Sequence, residues 1–352
     1  MSPLLTALIA ILVFGILILI HELGHFISAR IFKVTINEFS IGMGPRIFSR
    51  TSKKTGIKYS LAALPIGGFV AMAGEADESD DPNSFDKKPA WQRFIITAAG
   101  AVVNIVAGFL VTAILTMMIP IGNTTVTSFI DLGEQGYEVG DVTTEGTLRI
   151  GDKITKIDGK RVRIYDELNY EITRRAYQPV DVTLIRDGEE ITLTDVVFPT
   201  VAENGTSFGL RDFTVALLVE KTFGSVISFS WSKSVLIVRM CWESLVDLVT
   251  GRYSLASVSG PVGVSTAIGE AASAGFQPLL YMFALISINL GVMNLLPIPA
   301  LDGGRLLTTA VEIVSGKKLP AKVENMINGV ALILLLGLSI VIMVKDVFQL
   351  IF

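Results

Sequence analysis

The sequence predicts a polytopic α-helical membrane protein with four transmembrane helices, a membrane-associated β-hairpin or sheet after the first helix, and a small extracytoplasmic α+β domain. Hydrophobic residues make up 51% of the 352 residues and charged residues only 18%, which is more apolar surface than a soluble domain of this length can bury. Four uncharged stretches, at 1–20, 94–129, 277–301 and 325–344, are each long enough to supply the about 20 residues that a spanning helix needs.

The first span, at about residues 4–28, carries a distinctive motif near its end. His21 and His25 are the only histidines of the chain, and Glu22 follows the first of them. Residues four apart lie on one face of a helix, so both imidazoles can bind one cation while Glu22 points at its bound water. The spacing predicts a zinc hydrolase site. The alternative is a pair of helix-end histidines that form local hydrogen bonds at the membrane surface.

The distribution of basic residues predicts the orientation in the membrane. The loop at 30–93 contains ten Lys or Arg residues and the loop at 303–324 contains four, so we expect both loops in the cytoplasm and both termini outside. No Lys or Arg precedes the first apolar run, so we do not expect it to be a cleavable signal peptide. Within the first loop, a β region at about 36–74 includes 57–64 and 67–73, which can form strands.

The segment between spans two and three divides into two parts. Short strands and turns, with Asp-Gly pairs at 158 and 187, predict the α+β domain at 123–200. At 201–276, charged residues interrupt an apolar stretch, which predicts interfacial amphipathic helices and a linker, with a fifth span as the alternative. The membrane core then has two parts: residues 1–122 with spans at about 4–28 and 94–119, and residues 277–352 with spans at about 278–299 and 325–346.

The third metal ligand has to be something other than histidine. A catalytic zinc ion usually has three protein ligands and a water. Spans one and three both run from outside to inside in the predicted topology, which brings Asp302 to the depth of His21. Glu38 is the rival ligand, because it lies 13 residues after His25, and the alternative role for Asp302 is a helix cap. The single Cys241 falls on the opposite side and excludes an intrachain disulfide.

Several motifs carry a resemblance to a known family: His21-Glu22-Leu23-Gly24-His25, Gly42-Met43-Gly44-Pro45, Pro65-Ile66-Gly67-Gly68-Phe69-Val70, Ser259-Gly260-Pro261-Val262-Gly263, and Asn294 through Gly303. Together they resemble the site-2 intramembrane metalloproteases, in particular the bacterial branch of the sigma-E-regulating protease with one PDZ domain. The resemblance covers nearly the whole chain. It implies that His21, His25 and Asp302 bind Zn²⁺ and that Glu22 is the general base.

The resemblance also extends to the soluble domain and to the second span. Residues 148–152 and 158–159 resemble parts of a PDZ domain, so 123–200 is expected to be PDZ-like, although no clear peptide-carboxylate loop is found. In the second span the family often has Gly-Pro-x-x-Asn. Here Gly100 and Asn104 stand at those positions without the proline.

The function implied is that of an intramembrane zinc endopeptidase in a bacterial plasma membrane, with its active site toward the cytoplasm. It would cut single-span membrane proteins, such as anti-sigma factors or remnant signal peptides, after an upstream site-1-type protease has shortened them, and the PDZ-like domain would screen these substrates.

The candidate substrate-binding residues are Gly67, Gly68 and Phe69, at a strand edge that could pair with an extended substrate, and Asn294. For Asn294 the alternative is a structural hydrogen bond between helices. The competing hypothesis for the whole chain is a noncatalytic membrane receptor or metal transporter that uses the PDZ-like domain for binding. No basic stripe or phosphate loop is present, so we expect no nucleic-acid partner.

Overall fold

The computed structural model describes residues 2–75, 79–137, 142–203, 206–218, 220–252 and 258–351. The helices are α1 Pro3–Ile31, α2 Ala90–Met118, α3 Tyr165–Arg175, α4 Phe223–Thr250, α5 Pro261–Ala274, α6 Phe276–Leu295, α7 Asp302–Ser315 and α8 Ala321–Ile351. The strands are β1 Ile36–Thr51, β2 Lys58–Met72, β3 Ile121–Phe129, β4 Lys153–Ile157, β5 Lys160–Arg161, β6 Val180–Arg186, β7 Glu189–Val196, β8 Thr200–Glu203, β9 Thr206–Gly209 and β10 Phe213–Leu218. Parts of the predicted PDZ-like and interfacial segments, at 138–141 and 253–257, lie outside the described residues.

The four predicted spans are confirmed as helices that are long and apolar enough to cross a membrane. Within the described residues these are Pro3–Ile31, Ala90–Met118, Phe276–Leu295 and Lys322–Phe348, and α4 is not among them. Ser2 caps α1 by accepting a hydrogen bond from Leu5 N, and Pro3 occupies its first turn, where no amide donor is needed. The chain is a multi-pass membrane protein.

Two compact units make up the chain. The first contains Met1–Val111 and Cys241–Phe352 and so includes most of the spanning helices. Its sheet is formed by β1 and β2, and residues 38–41 of β1 lie between two parts of β2. Phe39 pairs with Val70 on one side and with Tyr59 on the other. This sheet packs on α1 through a buried apolar cluster that includes Phe39, Val70 and Ala29.

The second unit, Thr112–Met240, contains a six-stranded sheet with strand order β10-β3-β4-β6-β7 and with β5 paired to β4. Its core is formed by α3 and the sheet, with Leu168 and Ile172 of α3 fully buried. The sheet extends past the predicted domain boundary at residue 200, because β10 pairs with β3 from Phe213 opposite Phe129 to Leu218 opposite Ile121. Residues 223–250, predicted as part of an interfacial segment, form the single helix α4.

Candidate metal centre

Three side chains in the first unit bring their ligand atoms together. Nε2 of His21 lies 3.0 Å from Oδ2 of Asp302, and Nε2 of His25 lies 3.3 Å from the same oxygen. The two Nε2 atoms are 3.2 Å apart. Within the described residues this is the one group of three or more His, Cys, Asp or Glu side chains with converging ligand atoms. Two ligands that are four residues apart on α1 thus meet a third from the start of α7.

The chain between α6 and α7 explains how Asp302 reaches the histidines. Pro297 and Pro299 follow the end of α6, where neither ring can supply an amide donor to a continuing helix. Ala300 adopts a left-handed conformation at φ 70°, and α7 then begins at Asp302. A Cβ at Gly303 would lie 1.7 Å from the carbonyl oxygen of Leu296, so only glycine permits this close return of the chain.

Glycines also bring α2 against the histidine helix. A Cβ at Gly100 would lie 2.4 Å from Nε2 of His25 and 2.8 Å from Cε1 of His21. A Cβ at Gly24 would lie 2.5 Å from the carbonyl oxygen of Ala99. The two backbones therefore approach so closely that the imidazole rings rest directly on α2.

Residues of α2 also lie within hydrogen-bonding distance of the Nδ1 atom of each imidazole ring. Nδ1 of His25 lies 2.9 Å from the carbonyl oxygen of Ile96, so it carries the proton and leaves Nε2 as the free ligand atom. Nδ1 of His21 lies 3.3 Å from Nδ2 of Asn104. The buried Oδ1 of this amide has no hydrogen bond among the described residues. Turning the amide over would let Oδ1 accept a hydrogen bond from a protonated Nδ1 and leave Nε2 of His21 unprotonated as well.

The donor set fits a zinc ion. Oδ2 of Asp302 is buried beside two imidazole nitrogens, yet within the described residues it forms no hydrogen bond of acceptable geometry. A buried oxygen without a donor is costly, and a divalent cation shared with the two Nε2 atoms satisfies all three lone pairs. Two imidazoles and one carboxylate, with an open position for water, are a usual catalytic zinc set.

A cavity of about 190 Å³ opens at these ligands and supplies that open position. Glu22 lines it together with the three ligand residues, and so does Phe69 of β2. Gly68 lies next to Glu22, because a Cβ on this glycine would be 3.4 Å from Cγ of the glutamate. Gly67 has φ 90° and adjoins this segment. Asn294 is half-buried in the last turn of α6 and is not among the residues that line the cavity.

Glu38, the rival ligand, lies in a different environment. Its carboxylate accepts two hydrogen bonds of 2.7 Å from the Arg46 guanidinium and one of 2.5 Å from Ser60. The Arg46 guanidinium holds the pKa of the Glu38 carboxyl below its ordinary value. Both carboxylate oxygens of Glu38 are therefore hydrogen-bonded within the sheet, and Glu38 is not part of the group of converging ligand atoms.

The residues that the sequence analysis missed are those that position the ligands. Ile96, Gly100 and Asn104 all lie on α2 and contact the histidines. Gly100 and Asn104 belonged to a noted family spacing, which was the one available signal. The carbonyl of Ile96 had no sequence signal, because any residue supplies a backbone oxygen.

Comparisons with known proteins agree with this chemistry. A family model described as Peptidase family M50 matches residues 9–338. A protein of Fusobacterium nucleatum that bears a zinc metalloprotease name is 34% identical over 351 residues, covering 98% of this chain and 99% of that protein. The zinc metalloprotease RasP of Geobacillus kaustophilus is 29% identical over 423 residues, covering 96% of each chain. The regulator of sigma-W protease RasP of Bacillus subtilis is 26% identical over 425 residues, covering 97% of this chain and 98% of that protein.

Proposed function

The chain belongs to peptidase family M50 and is a zinc metalloprotease, and from this premise we propose that it hydrolyses peptide bonds in or near the membrane-spanning segments of single-span proteins. The observation that carries the proposal is the convergence of His21, His25 and Asp302 beside Glu22 in one cavity. His21 and His25 belong to a helix that is apolar enough to span a membrane. A hydrolytic site built into such a helix fits a substrate that is itself in the membrane.

Each residue of the site has a distinct part in this reaction. His21, His25 and Asp302 would hold the zinc ion, which would supply a positive charge that polarises the scissile carbonyl and makes water more acidic. The Glu22 carboxylate accepts a proton from the attacking water as its oxygen bonds to the carbonyl carbon. Glu22 then gives this proton to the amide nitrogen as the C–N bond breaks. The products are a new amine and a new carboxylic acid, which keeps the second proton of the water until it ionises, and no covalent enzyme intermediate is needed.

The edge of the sheet beside the cavity suits an unwound substrate. The peptide groups of a transmembrane helix are hydrogen-bonded internally, so the segment to be cut has to be extended first. In the described pairing, residues 68–72 of β2 join residues 36–41 of β1 on one side, and Phe69, Val70 and Met72 line the cavity. An extended substrate added to the free edge from Gly67 to Met72 would lie next to Glu22. Asn294 would bind substrate backbone at the end of α6.

The soluble unit would act as the substrate screen. The basic loops favour a topology with both termini outside the cytoplasm of a bacterial cell and the zinc toward the cytoplasm, and this puts the PDZ-like sheet on the outer side. A screen there would admit substrates after an upstream site-1-type protease has removed their outer domain.

Deleting residues 121–218, which removes whole strands from β3 to β10, should permit cleavage of untrimmed substrate. Unchanged selectivity would exclude the screen.

The Glu22→Gln variant tests the catalytic proposal against a receptor or a metal transporter. The proposal predicts that this variant keeps its zinc, because Glu22 is not a ligand, but loses cleavage by a factor on the order of 10²–10⁴. Asp302→Asn should instead lower the zinc content. Glu270→Gln, on the exposed surface of α5, is the matched control and should change neither. Membrane proteins that accumulate bound to Glu22→Gln can then be identified by mass spectrometry.

A further inference from the structure

A second polar cavity adjoins the cavity at the metal ligands. It has a volume of about 240 Å³, and its walls include the ion pair of Arg93 and Glu312. The two cavities share three lining residues, Glu75, Thr97 and Arg305. These three side chains therefore form the partition between the metal ligands and the second cavity.

An ion pair closes this partition. Nη1 of Arg305 donates to Oε1 of Glu75 at 2.6 Å, and the two side chains are 36% and 24% exposed. Arg305 lies one turn after Asp302 on α7, so the two side chains share one face of that helix. Glu75 follows the end of β2, where Ala73 N donates to the carbonyl oxygen of Thr35 at 2.9 Å. The pair thus joins the helix of the third metal ligand to the strand that lines the site.

We propose that the Arg305–Glu75 ion pair is a gate, and that water passes from the second cavity to the metal ligands when the pair separates. The inference rests on the proposed function, because each bond that is hydrolysed consumes one water. Other sides of α1 and α2 expose apolar side chains such as Leu12, Leu23, Val102 and Leu110, which offer water no hydrogen bonds. The second cavity offers a charged, polar surface up to the partition itself.

Arg305 is accordingly a positioning residue and not a catalytic one. In the described structure its guanidinium binds Glu75 and contacts neither the ligand atoms nor the carboxylate of Glu22. By neutralising Glu75 it also keeps a further free negative charge away from Glu22 and Asp302. Without Arg305, the Glu75 side chain is free to rotate, and the partition has lost the bond that holds it together.

Cysteine accessibility measures the gate without any turnover. Replacing the single Cys241 by Ser gives a cysteine-free background. Met72 lines the cavity at the metal ligands but not the second cavity, and Thr308 lines the second cavity but not the first. Met72→Cys and Thr308→Cys therefore report on opposite sides of the partition. The zinc-loaded full chain is labelled with a small, charged, water-soluble thiol reagent, with and without Arg305→Ala. Val70→Cys serves in place of Met72→Cys if that variant does not fold.

The gate predicts a selective effect of breaking the pair. Arg305→Ala and Glu75→Ala should each raise the labelling rate of Met72→Cys about two- to fivefold and leave that of Thr308→Cys unchanged. Arg305→Lys, which keeps the charge, should give a smaller rise. An unchanged rate at Met72→Cys, or an equal rise at both positions, overturns the proposal. The same rates are expected with Glu22→Gln present, so a failure of the gate is distinguishable from a failure of the catalytic proposal.

Discussion

Substituting Gly100 by alanine should weaken zinc binding although no ligand atom is removed. The new Cβ would lie 2.4 Å from Nε2 of His25 and 2.8 Å from Cε1 of His21. Since nonbonded Cβ contacts under 3.0 Å essentially do not occur, the His25 ring must move by at least about 0.6 Å. Bond lengths in a zinc site tolerate only about 0.2 Å. We therefore expect zinc affinity to fall about 10–100-fold, as when a group that orients a ligand is lost.

The stability of helix α2 should not fall when Gly100 is replaced by alanine. Alanine is favoured over glycine in a helix interior by about 1 kcal/mol, so a loss of zinc from Gly100→Ala would report the contact with the rings. Gly329→Ala is the matched control, because a Cβ at this position of α8 meets no atom within 4 Å. The assay is zinc content and competition with a chelator on the purified full chain. If Gly100→Ala binds zinc as tightly as Gly329→Ala, the imidazoles do not rest on α2.

Three further predictions concern the metal site and the soluble sheet. Asn104→Leu removes the amide that holds His21 and should lower zinc affinity about tenfold, measured by the same chelator competition, with helix content unchanged. Removing the metal with a chelator should abolish cleavage, and Zn²⁺ but not Mg²⁺ should restore it, because imidazole ligands favour zinc. Burial raises the pKa of the Asp152 carboxyl, but the hydrogen bonds from Arg186 and from the backbone N–H of Arg149, together with the charges of these two residues, hold it below its ordinary value. The pair should therefore stabilise the soluble sheet above about pH 4 and lose this effect as the pH falls further. Hydrogen exchange of β4 and β6 should show a weaker loss of protection with acid in Arg186→Met.

The apolar helices and the convergence of His21, His25 and Asp302 were predictable from the sequence for physical reasons. A run of about 20 apolar residues without charge has few alternatives to a membrane helix. The His21 and His25 spacing fixes two side chains on one helix face. Asp302 was a candidate because the predicted topology gives spans one and three the same direction, and the structure brings its carboxylate to both imidazoles.

The residues that position these ligands could not be predicted in the same way. Apolar residues occur on every side of α1 and α2, so the usual sequence pattern does not reveal which faces pack together. The contacts of Gly100 with the histidine rings and of Asn104 with His21 depend on how each helix is rotated about its own axis. The pairing of β10 with β3 was missed for a related reason, because 83 residues lie between the two strands in sequence and no local pattern links them.

The most direct measurement is cleavage by the purified, zinc-loaded chain in liposomes, using as substrate a single-span protein that the Glu22→Gln variant has trapped. Carried out in ¹⁸O-water and followed by mass spectrometry, it locates the bond that is cut and the source of the new carboxylate oxygen. We predict a cut in or next to the membrane-spanning segment, with one ¹⁸O in the new carboxylate, and no cut by Glu22→Gln that still holds zinc. Cleavage confined to soluble regions, or undiminished in Glu22→Gln, would contradict the assignment.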